Sequence, residues 1–206
     1  YGTPVNLATA LGTTISTGVN SQNLNITYAS TGNTATSHVG TYAITATVAN
    51  GTGTASDYTV NLTNGTLTVN PATVNYTIAN ATQTYGTPVN LATALGTTFN
   101  TGINGENLGI TYASTGNTAT AHKGTYSITG TVASGTGAST DYTVNLTTGT
   151  LTVNPAAINY TIANTTQTYG TPVNLATALG TTFNTGINGE NLAITYASTG
   201  NTATAH

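Results

Sequence analysis

The chain has 206 residues, with a single Lys, no Arg, four acidic residues and a net charge of −3. Nucleic-acid binders need clustered Lys and Arg to displace phosphate counterions, so that class is excluded. There is also no basic amphipathic stretch for a membrane surface and no apolar run of the ~20 residues a helical span requires, so this segment is not expected to insert in a membrane.

The chain opens on YGTPVNLATALGTT at Tyr1, and the string returns at Tyr85 and Tyr169, a period of 84 residues. Residues 1–71 and 85–155 agree at 56 of 71 positions, and residues 85–122 and 169–206 at 37 of 38. The period divides the chain into 1–71, a β-sandwich repeat lacking its first strand; 72–155, a complete repeat; and 156–206, the N-terminal part of a third. Repeat arrays need atypical terminal units, and neither end here is atypical. The expectation is a window on a longer protein; the alternative is a complete one.

In the copy 72–155, Val74, Tyr76 and Ile78 alternate with polar residues, the period-two pattern of a half-buried strand. Gly86-Thr87-Pro88 breaks it, and Val89, Leu91 and Leu95 are expected to mark a second short strand. A turn at Ile103-Asn104-Gly105 leads to a strand carrying Leu108, Ile110 and Tyr112, and 114–121 reads as a loop or weak edge strand. Tyr126, Ile128 and Val132 share a face of the next strand, after which 134–139 is a loop. Tyr142, Val144 and Leu146 predict a further strand, Thr148-Gly149 a turn, and Leu151 and Val153 the last strand. No helical spacing stands out. Six or seven short strands separated by turns predict an all-β fold, specifically tandem immunoglobulin-like antiparallel β-sandwich domains.

Leu, Ile, Val and Phe number 38 of 206, below the fifth that warns of disorder, but disorder also calls for high net charge. Twelve Tyr spaced among Val and Ile argue for a folded chain. The 20 Val, Leu, Ile, Phe and Tyr residues of 72–155 give a thin core, on the order of 40 kcal/mol gross at about 2 kcal/mol each. Asn70-Pro71 and Asn154-Pro155 form the interdomain linkers; proline stiffens them. Successive domains are expected to stack end to end, each adding about 40 Å at ~3.3 Å per strand residue.

Gly40–Val48 reads GTYAITATV and Asp57–Ala72 reads DYTVNLTNGTLTVNPA; the second copy has GTYSITGTV and DYTVNLTTGTLTVNPA. With the Tyr-Gly start at Tyr85-Gly86 and the Gly102-Ile103-Asn104 turn, this order resembles the MBG-type (mostly-β, glycine-rich) immunoglobulin-like repeats of bacterial exported adhesins and haemagglutinin-like exoproteins. The extended Thr/Ala/Gly loop between the GTY and DYT strands departs from that pattern. The resemblance implies a surface or extracellular spacer and brings no catalytic residues.

Chemistry-bearing residues are few. His38, His122 and His206 recur once per copy, and one His cannot fill a zinc site without partners; they could meet partners only across a domain contact, and loop roles are expected. Asp57 and Asp141 precede a strand Tyr. Calcium takes about six to eight oxygens, so turn capping is the expectation for these acids. Glu106 and Glu190 correspond to Gln22, so that charge is dispensable, and paired-carboxylate hydrolysis is not expected. A Lys–Asn cross-link fails because Lys123 is Val39 in the first copy. Gln83 and Gln167 remain as candidates for Thr–Gln ester cross-links, each of which would lower the intact mass by one ammonia. Cysteine is absent, so there are no disulfides or thiol sites. No cofactor is expected.

The expected function is therefore a non-enzymatic spacer or fibre-forming repeat of a long extracellular or cell-surface protein, an adhesin stalk or filament. Its expected partners are copies of itself, through end-to-end or lateral strand pairing, with surface glycans a further class. The alternative is a module binding ice or glycan through Thr-rich faces such as Thr34-Ala35-Thr36.

Overall fold

Alternation of apolar and polar residues becomes strand over most of the copy 72–155 in the computed structural model, which describes residues 1–204. Strand takes 37% of the chain and helix 10%, which places the protein in the all-β class. In chain order the elements are α1 (Leu7–Leu11), β1 (Thr14–Ser16), β2 (Asn23–Ala29), β3 (Gly40–Ala49), β4 (Gly65–Val69), β5 (Ala72–Thr77) and β6 (Ala81–Thr84). Then follow α2 (Leu91–Leu95), β7 (Thr98–Asn100), β8 (Asn107–Ala113), β9 (Gly124–Ala133), β10 (Tyr142–Thr147) and β11 (Gly149–Asn154). The last are α3 (Leu175–Leu179), β12 (Thr182–Asn184) and β13 (Asn191–Ala193).

The chain divides into two compact units. The first holds Tyr1–Ala79, Leu91–Tyr112 and Thr129–Thr148; the second holds Asn80–Asn90, Ala113–Ile128 and the residues from Gly149 onward. In the first unit β1 to β4 form an antiparallel sheet in sequence order. There too, β7 pairs antiparallel with β8, and β5 pairs with β10. Its buried side chains include Leu24, Ile26, Val74, Ile78, Phe99, Leu108 and Ile110. The Tyr76 ring stacks on Phe99 at 4.4 Å. In the second unit β11 runs between β6 and the first residues of β9, burying Ala81, Gln83, Ile128, Leu151 and Val153. A short antiparallel pair, β12 with β13, lies in the same unit.

Three sequence expectations need correction. The segment Leu91–Leu95, read as a strand, is the helix α2, and its counterparts Leu7–Leu11 and Leu175–Leu179 are helical too. Leu91 and Leu95 stand four apart, the spacing of one helical face. The Asn6 and Asn174 side chains cap their helices by accepting from the N–H of Thr9 and Thr177, and Gly12 ends the first helix at φ 87°. Secondly, Ala81-Thr-Gln-Thr84 forms the strand β6 although it holds no large apolar residue to mark it. Thirdly, pairing is not antiparallel throughout: β5 runs parallel to β10 and β6 parallel to β11. The stretch 114–121, whose sequence fits a loop or a weak edge strand, holds no strand.

Candidate functional site

Chemistry-bearing side chains converge in the first unit, where residues of the copy 1–71 meet residues of the copy 72–155. The turn between β7 and β8 puts Asn104 at φ 52° and Gly105 at φ 70°, left-handed conformations that Asn and Gly tolerate best. This turn aims three groups at the preceding copy. Asn104 donates its amide to the Ala35 carbonyl at 3.0 Å, which also accepts the Gly2 N–H at 3.0 Å. Ile103 reaches so close to Gly2 that a Cβ there would lie 2.8 Å from its Cγ2. Glu106 accepts the Tyr1 hydroxyl on one carboxylate oxygen and the Tyr142 hydroxyl on the other, each at 2.6 Å. The two Tyr rings meet edge to face, 5.4 Å between centroids.

Beside them, the helical turn Ser139–Asp141 delivers Asp141 at the start of β10. Its carboxylate accepts from His38 Nδ1 at 2.6 Å and from the Val39 N–H at 2.9 Å. The Asp141 side chain is 1% exposed and that of His38 72%, so a buried acid meets a base at the water's edge. The Tyr42 hydroxyl holds the His38 carbonyl at 2.8 Å. Asp141 therefore does not cap a turn with its side chain, as the sequence suggested; it pairs across copies. Asp57, its counterpart, is exposed. The equivalence of Gln22 with Glu106 also gains a reason. Among the described residues Gln22 accepts one hydroxyl, that of Tyr58, whereas Glu106 serves two.

The environment tunes these groups. Burial, and next the hydrogen bond to Glu106, push the Tyr142 phenol well above its ordinary value. The same causes in the same order raise Tyr1. The hydrogen bond to Asp141, reinforced by its charge, raises His38. Away from the cluster, burial and then the Tyr76 hydroxyl hold Tyr112 up at about 12.

Because the folded His38 binds its proton more tightly than the unfolded one, its contribution to stability is fully present below the unfolded value near pH 6.5. It is lost as pH rises through the elevated folded value. We expect His38→Gln, which keeps a donor but removes the charge, to lower the melting temperature most at pH 5. The difference from wild type should shrink toward pH 9 and with added salt. A melting-temperature gap that stays constant from pH 5 to 9 would contradict the pairing.

A matching set recurs in the second unit. The Tyr85 hydroxyl donates to Glu190, and Asn188 donates to the Ala119 carbonyl at 2.9 Å. A Cβ on Gly86 would lie 2.6 Å from Ile187 Cγ2. His122 stacks parallel to Tyr85 at 6.4 Å, and with Lys123, Ile158 and Glu190 it lines an open cleft. His206 lies outside the described residues.

The remaining sequence-predicted residues lie elsewhere. The Gln83 amide is buried, donating to the carbonyls of Gly116 at 2.7 Å and Thr118 at 3.2 Å and accepting the Val89 N–H. Gln167 likewise donates to Gly200 and Thr202. The Gln83 carboxamide braces β6 against the loop, and that of Gln167 ties two loop stretches together. Asn70 and Pro71 are the two residues between β4 and β5, and the Asn70 carbonyl accepts the Tyr1 amino terminus at 2.7 Å. Asn154 ends β11, its carbonyl accepting the Tyr85 N–H at 2.9 Å, and Pro155 follows. Among the described residues no three His, Asp or Glu side chains gather in one place, and no helix is long and apolar enough to cross a membrane. The cluster can hold two stretches of chain in register through hydrogen bonds and one ion pair.

Sequence reasoning missed the cluster itself, although a Tyr, a His and a Gly at fixed places in each copy were its signal. Compared with family models, curated proteins and solved structures, the chain shows no match.

Proposed function

We propose that the chain is a structural segment of a long extracellular or cell-surface bacterial protein, a spacer or fibre-forming stretch of an adhesin stalk or filament. It performs no catalysis. Its units are immunoglobulin-like β-sandwich repeats of the MBG type with an 84-residue period, and its partners are further copies of the repeat. One observation carries this reading: the contacts joining copy to copy are specific and occur twice. Tyr1 with Glu106 and Asn104 with Ala35 are matched by Tyr85 with Glu190 and Asn188 with Ala119. Copies meant to act separately would need only a flexible tether, whereas a spacer needs its joints fixed.

Small-angle scattering on arrays of two, four and eight copies tests the proposal. The maximum dimension should rise in proportion to copy number. Growth closer to the square root of copy number, as flexible linkage gives, would overturn it.

A further inference from the structure

A strand pair resists tension according to which ends are pulled. When the load enters at opposite ends, every hydrogen bond of the ladder is strained at once. When it enters at the same end, the bonds break one by one. The two strands of a hairpin, entered at the first and left at the second, are loaded at the same end. Parallel strands are loaded at opposite ends.

The copy 72–155 begins on β5 and β6 and ends on β10 and β11, and its two parallel pairings involve these strands. In the second unit, β6 aligns with β11 from Ala81 opposite Leu151 to Thr84 opposite Asn154. The Tyr85 N–H extends that ladder to the Asn154 carbonyl at 2.9 Å, and Asn80 adds a side-chain acceptor for the Thr150 N–H at 2.8 Å. In the first unit, β5 aligns with β10 over six residues, and the Ile78 N–H continues the ladder to Thr147 at 2.9 Å. Water cannot readily replace the β6–β11 bonds, because Leu151 and Val153 are buried beneath them and Gln83 fastens β6 to the loop at 116–118.

We propose that the parallel pairings of β6 with β11 and β5 with β10 form a mechanical clamp, giving this protein a force-bearing function when the chain is pulled along its length. Tension entering through Pro71 draws β5 and β6 toward their N-terminal ends. Tension leaving through Pro155 draws β11 toward its C-terminal end. Each ladder is thereby sheared and not unzipped. The inference deepens the stalk reading but stands on strand direction alone, so joints that prove flexible in solution would leave it untouched.

The chain has no cysteine, so handles can be attached at chosen pairs of introduced ones. The full chain carrying Pro71→Cys and Pro155→Cys is pulled in an optical trap and compared with the chain carrying Pro88→Cys and Pro155→Cys. The first pair loads opposite ends of β6 and β11. The second loads the same end of that pair. All three prolines are exposed, and matching melting temperatures will confirm that both variants keep the fold. The first geometry should rupture at several-fold higher force, since forced unfolding reports the barrier and not the equilibrium. Equal forces in the two geometries would overturn the clamp. Gln83→Leu should lower the force in the shearing geometry; an unchanged force would remove Gln83 from the clamp.

Discussion

Leu151→Ala is expected to be the most damaging single truncation in the second unit, lowering stability by about 2–5 kcal/mol. Leu151 sits in β11, the strand flanked by β6 on one side and β9 on the other, opposite Ala81 and Tyr126. It is fully buried, as is Ile128 nearby in β9. Removing three carbons there loses their transfer free energy and leaves a cavity, because hydrogen-bonded strands on both sides keep the walls from closing in. The first copy supplies a control. Leu67 holds the same place in the sequence repeat, pairs with β3 and is only half-buried, so Leu67→Ala should cost distinctly less. Urea denaturation of both variants measures the difference; equal shifts in midpoint would show that β11 is not the core of its unit.

That contrast also shows what the sequence could and could not disclose. Strands such as β8 and β9 are legible because Leu108, Ile110, Tyr126 and Ile128 alternate with polar neighbours, and one buried face imposes that period. Strand β6 is not, because what it buries is Ala81 and the amide of Gln83, neither of which a hydrophobic pattern detects. Its partner in β11 lies some 70 positions on in the chain. Residues 57–63 and 141–147 are the same heptapeptide, DYTVNLT, yet only the second forms a strand, the one paired with β5. Pairing, not propensity, decides that case. The polar cluster was hidden for a related reason. His38 and Asp141 are 103 residues apart, and Tyr1 and Glu106 105 apart, so no local window contains both partners.

The clamp and the cluster place different demands on the chain. A clamp spreads its load over many weak backbone bonds strained together. The copy-to-copy contact depends on a few strong groups, and within it Glu106 is shared by two phenols. Substitutions at Glu106 should therefore be felt well beyond its own turn.

Glu106→Ala is expected to cost about 1–3 kcal/mol, the penalty of stranding a buried hydroxyl without its acceptor. Tyr142 is 7% exposed, and among the described residues its other hydrogen-bond neighbour is Thr101 Oγ1 at a distant 3.4 Å. Glu106→Gln should cost less, since Gln22 shows that one amide oxygen can accept one Tyr hydroxyl; it cannot accept two as well as the carboxylate does. Alkaline titration gives a second readout. Tyr142 is raised above its unfolded value of 10.0, first by burial and then by Glu106. Its contribution is thus intact below pH 10 and is lost as pH climbs through the folded value. With alanine at position 106 the phenol should ionise at lower pH but still above an exposed Tyr, because burial remains. Absorbance titration of the phenolate, with the urea midpoint taken at pH 7 and again above pH 10, follows both effects. A variant with unchanged midpoint and unchanged phenol titration would show that Glu106 does not bind the two tyrosines in solution.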